Sequence, residues 1–568
     1  MNKILSNIIA SLLALLLSAP AAWAADARLN HRALAAIAAN PSGKVKLILT
    51  YNQPPGLSDE NKVKDKGGTV NKKFKSVRGH AIEMPAQQAE ALLASNPNIA
   101  RASLDEPVAG GLSYPTADGQ FALTAASYPV PTSLPSSIRA GQPELASVSY
   151  TGANVRVAVL DSGFKSHSDV TPLGTYAIAG SKADDTYGHG NHVAGVVVGT
   201  GSKSGGLYAG VAPGAKLYAV RVLDQAGQGL TSDVIGGLDR LLALNQSSWN
   251  IRVVNMSLGH PVVDAAANDP LVQAVEAIWD SGVVVVCSAG NAGRDGYGTI
   301  TSPGNSRKVI TVGSLTTWGD TDPANDVVST YSSRGPTRID RFVKPDLLAH
   351  GNRVVSINAA SSYLTTNETA NLIKAPGATK AEYYQLSGSS MAAAVVSGAV
   401  ALMLEKDPSL TPSTIKARLM RTATKVDFAD VFATGAGVLN IQAALNSTVT
   451  AAQSSSPKVK RNTGNGRMGF EETALLWGNS QLALGYLWSD NLHWYSNNVD
   501  GSGYLWSDGY LWSDGYLWSD GYLWSDGYLW SDSTTWPQGY LWSDGYLWSD
   551  GYLWSDGATT ADTANRKD

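Results

Sequence analysis

The chain has 568 residues, a formal net charge of −4 at pH 7 and one cysteine. This length allows about three to four domains, and the near-balanced charge argues against nucleic acid or an anionic membrane surface as a partner. A single cysteine also excludes an internal disulfide, so the fold depends on a large apolar core.

The first 24 residues are organised like a secretory signal peptide. Lys3 is followed by an apolar run, and Ala22-Trp23-Ala24 supplies small residues at the spacing that a signal peptidase requires. The run is short for a membrane span, which needs about 20 apolar residues. We therefore expect cleavage after Ala24 and export of the chain, with an uncleaved anchor as the alternative.

Two regions separate this leader from the main body of the chain. Residues 44–108 alternate β-rich runs such as VKLILTY with the helical pattern AQQAEALLASN, which predicts a small α+β domain. Residues 113–135 are rich in Gly, Pro, Ser and Ala, a composition typical of a linker.

Residues 136–446 alternate apolar β-runs with helical patterns. The runs include VRVAVLD, KLYAVRVL, RVVNMSL, VVVVCSAGN and KVITVGS. Fully apolar strands that alternate with helices are typical of a parallel sheet with helices on both faces. The sequence therefore predicts an α/β domain here.

Three motifs in this domain carry groups for nucleophilic catalysis. Asp161 ends an apolar strand, His189 opens a helix in YGHGNHVAG, and Ser390 begins an Ala-rich helix. A serine hydroxyl needs an adjacent base, and the base needs a third group that fixes its tautomer. Ligands bind at the carboxyl ends of parallel strands, where the three motifs can meet. Asn291, just past the strand VVVVCS, offers an amide donor for an oxyanion.

The motifs DSG, HGNHVAG and GSSMA, in this order, resemble those of the subtilases, the subtilisin-like serine peptidases. GVAPGAKLYAVRVLD, VVNMSLG, SAGN, ITVGS, SSRGP, KPDLLAHG and GAGVLNIQAAL also have counterparts there, and the resemblance covers residues 136–446. It implies Asp161 as the orienting carboxylate, His189 as the general acid and base, Ser390 as the nucleophile and Asn291 as the oxyanion donor. A protease fold that has lost activity and only binds is the alternative.

The same resemblance indicates where a substrate lies. Two extended segments would pair with the main chain of a peptide, and small residues would leave the main side-chain pocket open to large apolar or aromatic residues. The residues concerned are Gly227, Gln228, Gly229, Ser257, Leu258, Gly259, Ala289 and Gly290.

Some positions depart from the family pattern without removing a reacting group. They are Asn191 and Ser389, where Thr is usual, and Ala394 and His350, where Pro is usual. The loop that holds calcium in many relatives reads GTGSKSGGLYA here and has no carboxylate. We therefore predict no metal ligands, and calcium, if bound, has no clear ligand loop.

Residues 25–112, with the core 44–108, resemble the subtilase propeptide, which assists folding and then blocks the cleft. This resemblance implies that SLDEPVAGGLSY enters the active site and is cut after Leu112, where an apolar residue fits the pocket. The alternative is a small α+β domain that the mature protein retains.

The C-terminal part consists of a predicted linker at 447–484, a repeat at 485–557 and a polar end at 558–568. GYLWSD occurs nine times, and all copies keep the same six-residue phase. Asp-Gly at each junction is a turn signal, so the block is either a stacked β-solenoid or a disordered low-complexity tail. Its Trp and Tyr residues could bind a glycan or cell surface.

These patterns together predict a secreted serine endopeptidase that is made as a zymogen and processes itself. Its partners would be protein or peptide substrates and its own propeptide. The competing hypothesis is a surface-binding or adhesive repeat protein whose protease domain mainly processes its own chain.

Overall fold

The computed structural model describes most of the chain between residues 26 and 459. With side chains it covers residues 26–110, 145, 148–178, 180, 182–317, 325–426 and 431–459. Further strands are described by their backbone at 113–115, 121–123, 458–461, 468–471, 492–495 and 498–501. The predicted signal peptide and most of the predicted repeat block lie outside the described residues.

Residues 26–73 and 78–105 form a small α+β unit. Its four strands form an antiparallel sheet in the order β2-β3-β1-β4. Its elements are α1 (His31–Ala39), β1 (Lys44–Tyr51), α2 (Leu57–Asp65), β2 (Thr69–Lys73), β3 (Gly79–Pro85), α3 (Ala89–Ser95) and β4 (Ile99–Leu104).

The sequence of this unit explains its layers. Strand β1 is central because LILTY is apolar or β-branched and is buried throughout. Asn30 caps the start of helix α1, and its side chain accepts the Ala33 N–H at 2.8 Å. The unit is of the predicted α+β kind, but it begins before residue 44, with helix α1.

The larger unit comprises residues 74–77 and 106–568, and an eight-stranded sheet forms its centre. The strand order is β17-β16-β14-β12-β8-β10-β9, and β18 also pairs with β16. Every pairing is parallel except β16 with β17. The strands are β8 (Arg156–Asp161), β9 (Gly174–Ala177), β10 (Lys216–Arg221), β12 (Ile251–Met256), β14 (Val284–Ser288), β16 (Ile310–Thr316), β17 (Val327–Val328) and β18 (Leu347–His350).

Helices flank this sheet, which confirms the predicted α/β class. Strands such as β14 are buried along their whole length, so the apolar runs of the sequence face helices on both sides. The helices are α4 (His189–Val198), α5 (Thr231–Gln246), α6 (Pro270–Asp280), α7 (Tyr363–Asn367), α8 (Ser389–Lys406), α9 (Pro412–Thr422), α10 (Val431–Thr434) and α11 (Ile441–Asn446).

Helix α8 is the one helix of the described residues that has the length and composition of a membrane span. However, 89% of it is buried within the fold. It therefore has the character of a core helix, against which the central strands pack.

Short strands form smaller sheets around the central one. One has the order β11-β5-β13-β15, another β19-β21-β20, a third β22-β23-β25-β24, and β6 pairs with β7. These strands are β5 (Pro107–Gly110), β6 (Ser113–Pro115), β7 (Phe121–Leu123), β11 (Gln228–Leu230), β13 (Leu258–Pro261), β15 (Thr301–Ser302), β19 (Val354–Ile357), β20 (Leu372–Ile373), β21 (Tyr383–Leu386), β22 (Lys458–Arg461), β23 (Met468–Glu471), β24 (Leu492–Tyr495) and β25 (Asn498–Gly501).

The predicted linker at 447–484 begins in a packed segment. The Ala451 N–H donates to Thr414 Oγ1 at 3.2 Å, and Ser456 Oγ donates to Asp346 Oδ1 at 2.9 Å. Residues 447–459, which we name the strap, therefore belong to the folded unit. The loss of periodicity did not reveal this, because the strap is held by hydrogen bonds rather than by an apolar face.

Strands β24 and β25 form an antiparallel hairpin in which Tyr495 pairs with Asn498. In the phase of the repeat, each strand covers the second to fifth residues of a hexad. The two residues between the strands stand where other copies have Asp and Gly, which agrees with the predicted turn position.

Candidate active site

The carboxyl ends of three adjacent strands of the central sheet supply the first parts of the site. Strand β8 ends at Asp161, Ser257 follows β12, and Asn291 comes three residues after the end of β14. Crevices outside the carboxyl ends of parallel strands are the usual ligand sites of open α/β sheets. The fold therefore assembles these residues along one edge.

Asp161 and His189 form a buried pair. His189 Nδ1 lies 2.8 Å from Asp161 Oδ1, and the two side chains are 1% and 0% exposed. A carboxylate only accepts, so the proton of the neutral ring is on Nδ1 and Nε2 has a free lone pair. His189 Nε2 has no hydrogen-bond partner among the described residues.

The surroundings of His189 favour its protonated form. Burial alone would lower the pKa of His189, but the charge and hydrogen bond of Asp161, together with the charge of Asp185, raise that pKa overall. His189 can therefore take up a proton inside a water-poor site, as a general base must.

A second carboxylate, Asp185, holds the start of helix α4. It accepts the Gly188 N–H at 2.6 Å and the Asn191 N–H at 2.7 Å. Ser162 Oγ donates to Asp185 Oδ1 at 2.8 Å and accepts the Gly190 N–H at 2.9 Å. Sequence reasoning missed Asp185, although a carboxylate just before a helix start is a recognisable signal.

Ser390 is the second residue of helix α8, so its N–H is among the unpaired donors of the first turn. Its Oγ lies 3.4 Å from the Ser257 carbonyl oxygen, and Ser257 Oγ donates to the Ser390 carbonyl oxygen at 2.9 Å. Ser390 is 2% exposed. These contacts fix the start of α8 against the end of β12.

Asn291 is oriented by the residue before Ser390. Its Oδ1 accepts both the Ser389 N–H and the Ser389 hydroxyl, each at 2.9 Å. Because these bonds fix Oδ1, Nδ2 faces Gly388. A Cβ atom placed on Gly388 would lie 3.4 Å from Nδ2. Ser389 can therefore replace the usual Thr here, since only the hydroxyl is needed.

A segment of the chain itself lies between the two predicted substrate-binding strands. Strand β5 pairs antiparallel with β11, through Gln228 and Gly229, and with β13, through Leu258 and Gly259. The Gly110 N–H donates to the Gly227 carbonyl oxygen at 3.0 Å.

Gly110 is next to the reacting groups. A Cβ atom on Gly110 would lie 3.5 Å from His189 Nδ1 and 3.5 Å from the Ser257 carbonyl oxygen. The same carbonyl oxygen is 3.4 Å from Ser390 Oγ. His189 and Ser257 thus border the end of β5, and Ser390 contacts the same Ser257 carbonyl oxygen.

Thr301, which the sequence did not indicate, lies beside residues predicted to form the side-chain pocket. Ala289 is buried, and its carbonyl oxygen accepts Thr301 Oγ1 at 3.3 Å. The same Thr301 Oγ1 would lie 3.0 Å from a Cβ atom on Gly259. Thr301 therefore fills space between Gly259 and the Ala289–Gly290 segment. No motif marked it, because it lies in an otherwise ordinary short strand.

The unusual Asn191 is explained by its contacts. Its Oδ1 accepts the Lys165 N–H at 2.6 Å, and its Nδ2 donates to the carbonyl oxygens of Lys165 at 2.8 Å and Asn358 at 3.0 Å. A threonine could not make all three bonds. The two positions with Pro in relatives are accommodated: Ala394 is fully buried in α8, and His350 accepts from or donates to Thr317 Oγ1 at 3.2 Å.

Two further buried side chains near the motifs have structural roles. His192 Nε2 lies 3.0 Å from two carbonyl oxygens, and burial lowers the pKa of His192 to about 3. Burial likewise raises the pKa of the Cys287 thiol to about 12, which makes it a poor nucleophile. Among the residues that the structure describes, no three His, Cys, Asp or Glu side chains are grouped as metal ligands.

Comparisons with known proteins agree with this architecture. The sequence profile of the Subtilase family matches residues 152–466. Serine protease AprX of Bacillus subtilis is 37% identical over 300 residues, which are 51% of this chain and 66% of AprX. Subtilisin E of Bacillus subtilis is 33% identical over 416 residues, which are 72% of this chain and 92% of that protein.

A solved structure supports the fold. The crystal structure of fervidolysin from Fervidobacterium pennivorans, a keratinolytic enzyme related to subtilisin, superposes with a TM-score of 0.54 at 23% identity, covering 73% of this chain and 62% of that one. The family match covers more than half of the chain, and its range includes the residues at the sheet edge. The chain therefore belongs to the subtilase family and is a subtilisin-like serine peptidase.

Proposed function

We propose that this protein is a secreted endopeptidase, made as a zymogen, in which Asp161, His189 and Ser390 hydrolyse peptide bonds. The observation that carries the proposal is strand β5, an extended segment that pairs on both sides with the predicted substrate strands. It ends beside His189 and beside the Ser257 carbonyl oxygen that Ser390 contacts. A peptide substrate would take the place of β5 and form the same main-chain hydrogen bonds.

The proposed reaction assigns a step to each of these residues. The Ser390 hydroxyl transfers its proton to His189 Nε2 as Oγ attacks the carbonyl carbon, and Asp161 stabilises the imidazolium through Nδ1. The oxyanion is stabilised by Asn291 Nδ2 and the Ser390 N–H. His189 then protonates the leaving amine, and water hydrolyses the acyl-enzyme by the same steps in reverse order.

The first cleavage is proposed to be that of the chain itself. The Gly110 N–H bonds to Gly227, and the Thr231 N–H donates to the Glu106 carbonyl oxygen at 2.9 Å, so residues 106–110 are held in the cleft like a substrate. This supports cleavage after Gly111 or after Leu112. The position after Leu112 is the one expected from the sequence. Residues 25–112 would then act as the propeptide and inhibitor.

The test is the intact mass of the exported wild type beside Ser390→Ala. We expect the wild type to begin at residue 112 or 113 and Ser390→Ala to begin at residue 25. If both proteins keep the N-terminal segment and the wild type does not cleave an unrelated protein such as casein, the proposal is wrong.

A second candidate is supported by the repeat, whose Trp and Tyr residues recur at fixed spacing. In this case the protein binds a glycan or cell surface through its tail, and the protease domain mainly processes its own chain. Cell or glycan binding that requires residues 485–557, combined with cleavage restricted to the protein's own chain, would favour this function. Turnover of casein at a rate typical of proteases would argue against it.

A further inference from the structure

The loop between helix α4 and Gly210 is held by one buried carboxylate. Asp169 is 1% exposed. Its Oδ1 accepts the Ser202 hydroxyl at 2.7 Å and the Lys203 N–H at 3.0 Å. Its main-chain carbonyl oxygen accepts the Thr200 N–H and the Thr200 hydroxyl, both at 3.0 Å. Asp169 therefore accepts hydrogen bonds from three residues of the loop.

The other carboxylate oxygen is used by a buried tyrosine. The Tyr383 hydroxyl donates to Asp169 Oδ2 at 2.6 Å and lies 3.1 Å from Ser204 Oγ. Burial, together with the hydrogen bond to the charged Asp169, raises the pKa of Tyr383, so the hydroxyl remains a donor. The ring of Tyr208, in the same loop, packs edge-on against Tyr383 with centroids 4.8 Å apart.

These contacts join the three segments that carry the candidate catalytic residues. Asp169 lies eight residues after Asp161, the loop directly follows the helix that begins with His189, and Tyr383 begins β21, four residues before the turn into Ser390 and its helix. We name Asp169, Ser202, Lys203 and Tyr383 the Asp169 clamp. A loosened clamp would affect the relative positions of all three segments.

In many subtilases this loop holds calcium, but the residues here do not fit that ion. Calcium takes 6–8 oxygen ligands and prefers carboxylates, and the loop GTGSKSGGLYA has none. Asp169, the carboxylate that bonds this loop within the described part of the chain, already accepts from donors on both oxygens. One of these donors is the Lys203 main-chain N–H, whose positive end points at Oδ1 where a cation would have to bind.

We propose that the hydrogen bonds of the Asp169 clamp hold this loop in place of a calcium ion, so that the loop is ordered without metal. The inference goes beyond the proposed peptidase function and does not depend on it, because it concerns the stability of the folded chain. A protein-made clamp cannot be removed by chelation, whereas a calcium site can.

The test is thermal unfolding of the full chain carrying Ser390→Ala, which prevents self-cleavage. We expect the same Tm in excess EDTA and in excess CaCl2. Tyr383→Phe removes only the hydroxyl bonded to Asp169, and we expect it to lower the Tm by about 3–6 °C, equally in both solutions. Ser202→Ala, at an exposed position, is the milder second variant and should lower the Tm in the same metal-independent way.

Tyr208→Phe is the matched control. It deletes a hydroxyl from the ring that packs on Tyr383, and this hydroxyl makes no hydrogen bond within the described part of the chain, so the Tm should stay within about 1 °C. The proposal is overturned if CaCl2 raises the Tm of the EDTA-treated protein and Asp169→Asn abolishes that rise. It is also overturned if Tyr383→Phe and Ser202→Ala both leave the Tm unchanged.

Discussion

Ser456→Ala tests whether the strap stabilises the catalytic unit through a buried charge cluster. Lys344 Nζ and Lys416 Nζ lie 2.7 Å and 3.1 Å from the two oxygens of Asp346, and all three side chains are fully buried. Ser456 Oγ donates to Asp346 Oδ1 at 2.9 Å and lies 3.2 Å from Lys416 Nζ. The serine therefore connects the strap to both charges.

The expected loss of stability in Ser456→Ala can be estimated from the charge of the partners of the serine hydroxyl. A hydrogen bond to a charged group contributes about 1.5–3 kcal/mol, and the apolar replacement removes one of the donors to the buried Asp346 carboxylate. We therefore expect Ser456→Ala to lower the free energy of unfolding by about 2–3 kcal/mol and the Tm by about 4–6 °C. The main-chain bonds of this residue to Arg307 remain, so the strap stays in place.

The assay is calorimetric unfolding of the full chain in the Ser390→Ala background. Ser454→Ala provides a control in the same strap, because Ser454 is also buried but its hydroxyl has no hydrogen-bond partner among the described residues. Ser454→Ala should leave the Tm unchanged or raise it slightly. Equal Tm values for the two variants would refute the reasoning, since burial alone would then account for both.

The remaining predictions concern catalysis. Asn291→Ala should lower kcat about 10²–10³-fold with little change in KM, a figure measured on subtilisin itself; an unchanged kcat in a steady-state peptide assay would remove Asn291 from the mechanism. Asp185→Asn removes a charge that raises the pKa of His189, and the enzyme needs neutral His189. The acid limb of kcat/KM against pH should therefore move to lower pH, whereas an unmoved limb would limit Asp185 to a structural role. Thr301→Gly empties the space beside Gly259 and should raise kcat/KM about tenfold for substrates with Phe or Tyr before the scissile bond, relative to Ala; an unchanged ratio would show that Thr301 does not limit the pocket.

The sequence predicted the parts of the fold whose signal is local. Apolar strands such as β8 and β14 could be read from their composition, because a parallel sheet covered on both faces requires apolar residues at every position. Asp161, His189 and Ser390 could be predicted together because each lies in a distinctive motif at the end of a strand or the start of a helix.

Features that depend on contacts between distant residues could not be predicted. Thr301 contacts residues that are distant in the sequence, and Asp185 accepts main-chain N–H groups. Neither kind of contact produces a periodic pattern in the sequence. The clamp joins Asp169 to Tyr383, 214 residues later, by a hydroxyl that any tyrosine carries. The strap resembled a linker because residues 447–484 lose periodicity and gain Ser, Asn and Gln. Its attachment to the fold depends on individual hydrogen bonds, such as that of the Ser456 hydroxyl to Asp346.

Strand β5 also has a consequence for the protein if the chain is cleaved as proposed. While β5 is in place, the main-chain groups of β11 and β13 are paired on the cleft side. Departure of β5 would leave two unpaired strand edges that face each other, and unpaired edges promote association between copies. These edges are only three and four residues long. Such short edges can bind one extended peptide but are too short to support a sheet that continues from one molecule to the next. The shortness of β11 and β13 therefore limits aggregation through these edges.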